Sequence, residues 1–193
     1  MDNAYAYQGP RKSNVGFTHA FLGAYFLLRI RPKELKMIRG GCLCGGVRFE
    51  MDRVVGPFEL CHCNRCRKVS GSAFMATIGV RRDGFRFVSG RELIRTYEAP
   101  ILESPPAYRV CFCSQCGSCV PDPEANGEWF EIAAGLLDDD PQIRPDKHIF
   151  VEFKAAWHEI TDTLPQMDKK ALLRHRAKSA QQTFPSDARN VRT

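Results

Sequence analysis

The chain has 193 residues, 44% hydrophobic and 26% charged, enough for one globular domain with a buried core and far from disordered or collagen-like composition. Residues 1–36 hold six basic and two acidic groups and residues 168–193 seven and two, whereas residues 37–167 hold fifteen and eighteen. The formal +6 therefore resides at the ends, and the mildly acidic body speaks against a phosphate-binding face and against nucleic acid as the partner.

In chain order, the apolar stretch Val15–Leu28 follows Lys12 as in a signal peptide, but it runs into Arg29-Ile30-Arg31-Pro32 without a small-residue cleavage site. It is also too short for a membrane span, which needs roughly 20 residues. Residues 1–36 read as an N-terminal extension, with translation expected to begin at Met37, and the protein is expected in the cytoplasm. Residues 37–167 form the expected domain. Short β-branched and aromatic runs alternate there with Gly, Pro and Asp, predicting strands at Gly46–Met51, Ala73–Val80, Phe85–Val88, Leu93–Tyr97, Tyr108–Phe112, Trp129–Ala134 and His148–Phe153. Asp168 is placed to cap a helix through Ala180, with Leu172, Leu173, Ala177 and Ala180 on one face, and 168–193 reads as a basic helical or loose tail. The fold class is mostly β with a C-terminal helix.

All nine cysteines lie between Cys42 and Cys119, in three tight groups. Cysteines one residue apart on a strand diverge, so they make poor disulfide partners but acceptable ligands to one ion. Metal is the reading, zinc first, with iron–sulfur also compatible with thiolate ligands and disulfides compatible with export. Cys113-Ser114-Gln115-Cys116-Gly117 has zinc-knuckle form, with Gly117 available for positive φ. In Gly40-Gly41-Cys42-Leu43-Cys44-Gly45-Gly46 the glycines would let backbone approach the ion. Cys61-His62-Cys63-Asn64-Arg65-Cys66 offers three thiols from what reads as a single loop.

These three groups, with Arg67-Lys68 and Gly71 after the second and Ala134-Gly135-Leu136-Leu137-Asp138-Asp139, Arg144-Pro145, His148-Ile149-Phe150, Trp157 and Asp162 downstream, resemble the glutathione-dependent formaldehyde-activating enzyme family, which also includes centromere protein V. The resemblance spans roughly residues 38–167. It implies a β-tent fold of short antiparallel sheets and two Zn²⁺ per chain, one closed by Cys42, Cys44, Cys113 and Cys116, the other held by Cys61, Cys63 and Cys66 with an open position. It also implies glutathione and formaldehyde as substrates and a carbon–sulfur lyase that forms and splits S-hydroxymethylglutathione or a related thiol adduct. A rival function of another class is a non-catalytic zinc scaffold for a macromolecular partner.

Around that centre, Arg67 and Lys68 are candidates to offset negative charge or hold a glutathione carboxylate. Trp157 is expected in the core, or else as a substrate wall. His62, His148 and His158 are expected to be satisfied or surface histidines rather than ligands. Asp162 and the Asp138-Asp139-Asp140 run are expected as solvated turn residues. Cys111 and Cys119 are expected to be bystanders, although either one joining the second site would close it.

Overall fold

A computed structural model describes residues 37–102 and 106–183, with side chains to 179; the expectations for 1–36 and for the end of the tail lie outside the described residues. The strands are β1 (Ile38–Gly41), β2 (Arg48–Met51), β3 (Val54–Cys61), β4 (Met75–Arg81), β5 (Phe85–Ser89), β6 (Ile94–Glu98), β7 (Arg109–Cys113), β8 (Trp129–Ala133), β9 (Lys147–Ile149) and β10 (Gln166–Met167). Two helices join them, α1 (Asn64–Ser70) and α2 (Lys169–Thr183).

The mostly β architecture is the expected one, in three small sheets ordered β1-β2-β5, β10-β9-β3-β4-β8 and β6-β7. Most pairings are antiparallel, but β9 runs parallel to both β3 and β10. Alternation along β2 sends Phe49 and Met51 inward, against Ile78 and Val80 of β4 and Ile132 of β8. Those residues form the main core between the first two sheets. Phe85, Phe87 and Phe130 close its edge in near-perpendicular ring contacts.

One expected strand is cut short, and β1, β3 and β10 are added to the expected set. The predicted His148–Phe153 strand stops at Ile149, because Phe150 adopts left-handed φ of 56° and the chain turns into a 3₁₀ turn at Val151–Phe153. β3 is an added strand, interrupted by a register shift between Val54 and Phe58 where Gly56 and Pro57 sit. Gly79 of β4 lies directly against the Gly56 carbonyl there, a close approach that leaves no room for a Cβ.

Helix α2 begins as expected: the Asp168 carboxylate accepts from the Ala171 amide at 2.6 Å, while its carbonyl accepts from Leu172 at 2.9 Å. Leu172 is buried among Cys61, Cys66, Met75 and Ile149. Leu173, placed on the same face by the sequence pattern, is 60% exposed instead. The helix is held further by Arg176, whose Nη2 donates to the buried Glu59 Oε2 at 2.9 Å; Lys147 Nζ lies 3.6 Å from the other Glu59 oxygen.

Candidate metal and thiol site

The first cysteine group joins two hairpins from different sheets. After β1 the chain turns through Cys42–Gly46, with the Cys42 amide donating to Val47 O at 3.1 Å, and returns as β2. Cys113 ends β7, and the following turn closes with Gly117 N donating to Cys113 O at 2.8 Å, Gly117 at the expected positive φ of 73°. Gly40 and Gly41 have a different use from the one expected: Gly40 packs against the Leu136 carbonyl and the Phe49 ring, and Gly41 against the Val47 carbonyl.

The Sγ atoms of Cys42, Cys44, Cys113 and Cys116 all lie within 4.8 Å of one another, with Cys42–Cys44 at 3.4 Å and Cys44–Cys113 at 3.8 Å. Four sulfurs about 2.3 Å from a tetrahedral ion stand about 3.8 Å apart, so the group fits a metal. The charge pattern agrees. Ser118 lowers the Cys116 thiol to about 5, and burial of Cys42 is outweighed by the Val47 amide and neighbouring thiols, while Cys44, despite the Gly46 amide, is pushed up to about 12 by Cys42 and Cys116. Thiols that oppose one another's ionisation in this way would be favoured as thiolates by a cation between them.

The second group is built on a strand end and a helix rather than a single loop. Cys61 is the last residue of β3, Cys63 caps α1 by accepting from the Cys66 amide at 3.4 Å, and Cys66 lies in the helix. Their three Sγ atoms lie within 4.8 Å of one another. Hydrogen bonds from the Cys61 and Cys66 thiols, then from the Cys66 and Arg65 amides, bring the Cys63 thiol down to about 2. Cys66 is driven upward by Cys61 and Cys63, and Cys61 is pushed up to about 12, chiefly by Cys63. The three thiols oppose one another's ionisation, and a cation between them would relieve that opposition.

Among the described residues no fourth His, Cys, Asp or Glu joins this group. Cys111 and Cys119 belong to neither cluster, as expected: Cys111 is buried with its sulfur 3.3 Å from Thr96 Oγ1, and Cys119 forms an isolated bridge with Phe112 through the backbone. Tyr108, which the sequence reading did not single out, stands beside the group; burial and then the nearby Cys66 and Cys63 thiols raise its phenol above the usual range. Arg65 stacks over the Tyr108 ring at 5.2 Å and donates to Pro100 O at 2.7 Å, tying α1 to the segment before β7.

His62 points away from the sulfurs, as expected, but into a buried network. Its Nε2 lies 2.8 Å from His148 Nδ1, and His148 Nε2 lies 3.0 Å from Asp162 Oδ2. Both imidazoles are about fully buried, and among the described residues the second His62 nitrogen has no hydrogen-bond partner. Burial, with His148 and His158 nearby, lowers His62 to about 4. Asp162 is therefore more than a solvated turn residue: it also accepts from the Leu164 amide at 2.9 Å. The three aspartates of the Asp138-Asp139-Asp140 run are likewise not simply solvated, since they pair with Arg48, Arg39 and Arg144 respectively.

A cavity of about 420 Å³ opens at Cys63 and is lined by Asn64, Arg65, Ile101, Leu102, Pro106, Phe150, Phe153 and Lys169. Arg67, Lys68 and Trp157 do not line it. Arg67 instead donates to Asn64 Oδ1 at 2.5 Å, Lys68 is exposed, and Trp157, expected in the core, is 74% exposed with its edge toward His158.

Fold and site together define a small β protein with two cysteine clusters fitted to metal ions. The chain belongs to the glutathione-dependent formaldehyde-activating enzyme family, whose model matches residues 37–153. A protein of Halomonas elongata, provisionally named a glutathione-dependent formaldehyde-activating enzyme, is 36% identical over 137 residues, covering 64% of this chain and 81% of the relative. A crystal structure of a Rhodobacter sphaeroides protein aligns with TM-score 0.38 and 23% identity, covering 55% of this chain and 91% of that one. No described helix is long and apolar enough to cross a membrane.

Proposed function

We propose that the chain is a zinc-dependent carbon–sulfur lyase acting on the adduct of glutathione and formaldehyde, its working domain 37–167 and its location the cytoplasm. The observation that carries this reading is the contrast between the clusters: four thiols complete a tetrahedron at Cys42, Cys44, Cys113 and Cys116, whereas Cys61, Cys63 and Cys66 supply three and adjoin a cavity. The first set would hold a structural zinc and the second a zinc with one position for a substrate. Bound there, zinc would supply electrostatic stabilisation for a thiolate at neutral pH, where a free thiol with pKa of about 8.5 is mostly protonated.

The protein's own groups do the rest. Asn64 and Arg65 flank Cys63 at the cavity, where the Arg65 guanidinium suits a substrate carboxylate. Arg67 and Lys68, on the same helix, contribute positive charge against the three thiolates. In the forward direction the glutathione sulfur adds its electron pair to the formaldehyde carbon, a C–S bond forms, and the thiol proton ends on the former carbonyl oxygen. The reverse splits the same bond and returns the proton to sulfur.

Native mass spectrometry of the intact chain with and without glutathione tests the reading. Two zinc ions with a glutathione adduct that disappears in Cys63→Ser are expected. Two zinc ions with no adduct would overturn it and favour the scaffold alternative.

A further inference from the structure

The walls of the cavity at Cys63 offer more apolar surface than the one-carbon hydroxymethyl group of the glutathione–formaldehyde adduct can cover. Of its nine described lining residues, Cys63 included, five are carbon-only apolar side chains: Ile101, Leu102, Pro106, Phe150 and Phe153. Ile101 is 54% exposed, Leu102 76% and Phe153 43%, so three large apolar side chains gather in water at the mouth of the one cysteine cluster that has only three sulfurs. Scattered exposed apolar residues need no explanation, but a concentration beside a reactive centre does.

The backbone reinforces the point. Phe150 is held at φ of 56° and ψ of 41°, a region that bulky residues rarely occupy and one that recurs where a site is built. That turn ends β9 one residue after Ile149, which pairs with Cys61, and sets Phe150 against the Cys61–Cys66 cluster while Phe153 lies three residues on at the cavity wall. A hydroxymethyl group has one carbon and covers little of these walls, while Asn64, Arg65 and Lys169 offer polar contacts to the charged carrier.

We infer that the cavity receives the apolar substituent of a larger aldehyde, so that the preferred substrate class is the hemithioacetal of a thiol with an aliphatic or aromatic aldehyde. This rests on the lyase reading above and puts a larger aldehyde in place of formaldehyde as the preferred partner. The step balances as before: the C–S bond breaks, sulfur keeps the bonding pair, and the hydroxyl proton passes to sulfur as the C–O bond becomes a carbonyl. Ile101, Leu102, Phe150 and Phe153 take the substituent, and Arg65 and Asn64 face the carrier.

The test compares exchange of the glutathione adducts of hexanal and of formaldehyde by the zinc-loaded full chain, using NMR magnetisation transfer. A single methylene in an apolar pocket discriminates by about tenfold or more, so kcat/KM for the hexanal adduct should exceed that for the formaldehyde adduct at least tenfold. Phe153→Ser and Leu102→Ser, both at partly exposed positions, should each reduce that ratio severalfold. Equal values for the two adducts, or turnover of formaldehyde alone, would overturn this inference and leave the lyase reading standing. A wild-type preference unchanged by both variants would overturn the assignment to this cavity. No exchange of either adduct above the spontaneous rate would overturn the lyase reading itself, and this inference with it.

Discussion

The Nε2 of His62 and the Nδ1 of His148 lie 2.8 Å apart inside the protein, joining a residue between two clustered cysteines to a strand 86 residues away. One ring must donate and the other accept, so the pair fixes both orientations, and Asp162 fixes the outer nitrogen of His148. His62→Ala would remove a buried ring and strand His148 without its partner, a loss of about 2–4 kcal/mol. Urea denaturation of the zinc-loaded chain reads this out, and His62→Gln should restore part of the loss if the hydrogen bond to His148 matters.

Asp162 predicts an acid response. Its carboxyl is held below the ordinary value of 3.8, first by the Leu164 amide and then by His148. A lowered carboxyl stabilises the fold above its unfolded pKa and loses that contribution as pH falls through the folded value. Asp162→Asn should therefore be less stable than wild type at pH 7, and the gap should close below about pH 4. Parallel denaturation at pH 7 and pH 3 is the measurement; a gap that widens in acid would contradict the assignment.

The two cysteine clusters should fail differently. Cys113→Ser breaks the junction between hairpins of separate sheets, and structural zinc supplies on the order of 10 kcal/mol of apparent folding free energy, so the domain should unfold. Cys63→Ser should lose one zinc and keep its circular dichroism spectrum. Equal loss of structure in both would refute the division of roles.

Arg176 is half exposed but bonds to a carboxylate that is only 2% exposed. Arg176→Ala leaves Glu59 with the more distant Lys147, and should cost about 2 kcal/mol, less than for a fully buried pair because water reaches the arginine side. Glu59→Gln should cost less than Arg176→Ala. Hydrogen exchange across Lys169–Thr183 would show whether the helix detaches first.

The sequence pattern disclosed the strands wherever β-branched and aromatic runs were bounded by turn residues, as at β5 and β8. It missed β3 because Gly56-Pro57 reads as a break, and α1 because its cap is Cys63 rather than Ser, Thr, Asp or Asn. The cysteine groups were legible from spacing, but the joining of Cys42 and Cys44 to Cys113 and Cys116 was legible only through family resemblance, since local spacing carries nothing about residues some seventy positions apart. The histidine network was illegible for the same reason. Trp157 was misplaced because a large aromatic residue usually signals a core, whereas here it follows the short turn Val151–Phe153 out to the surface.

The parallel register of β3 on β9 sets Leu60 opposite His148 and Cys61 opposite Ile149. Side chains on neighbouring rungs face opposite ways, so inserting or deleting one residue within Lys147–Ile149 would present an imidazole where an isoleucine now packs on the sulfurs. A change of two residues would preserve facing and alter only position along the strand. This short segment therefore works as a reading frame, and variation in length across related chains is expected in the loops on either side of it, not within it.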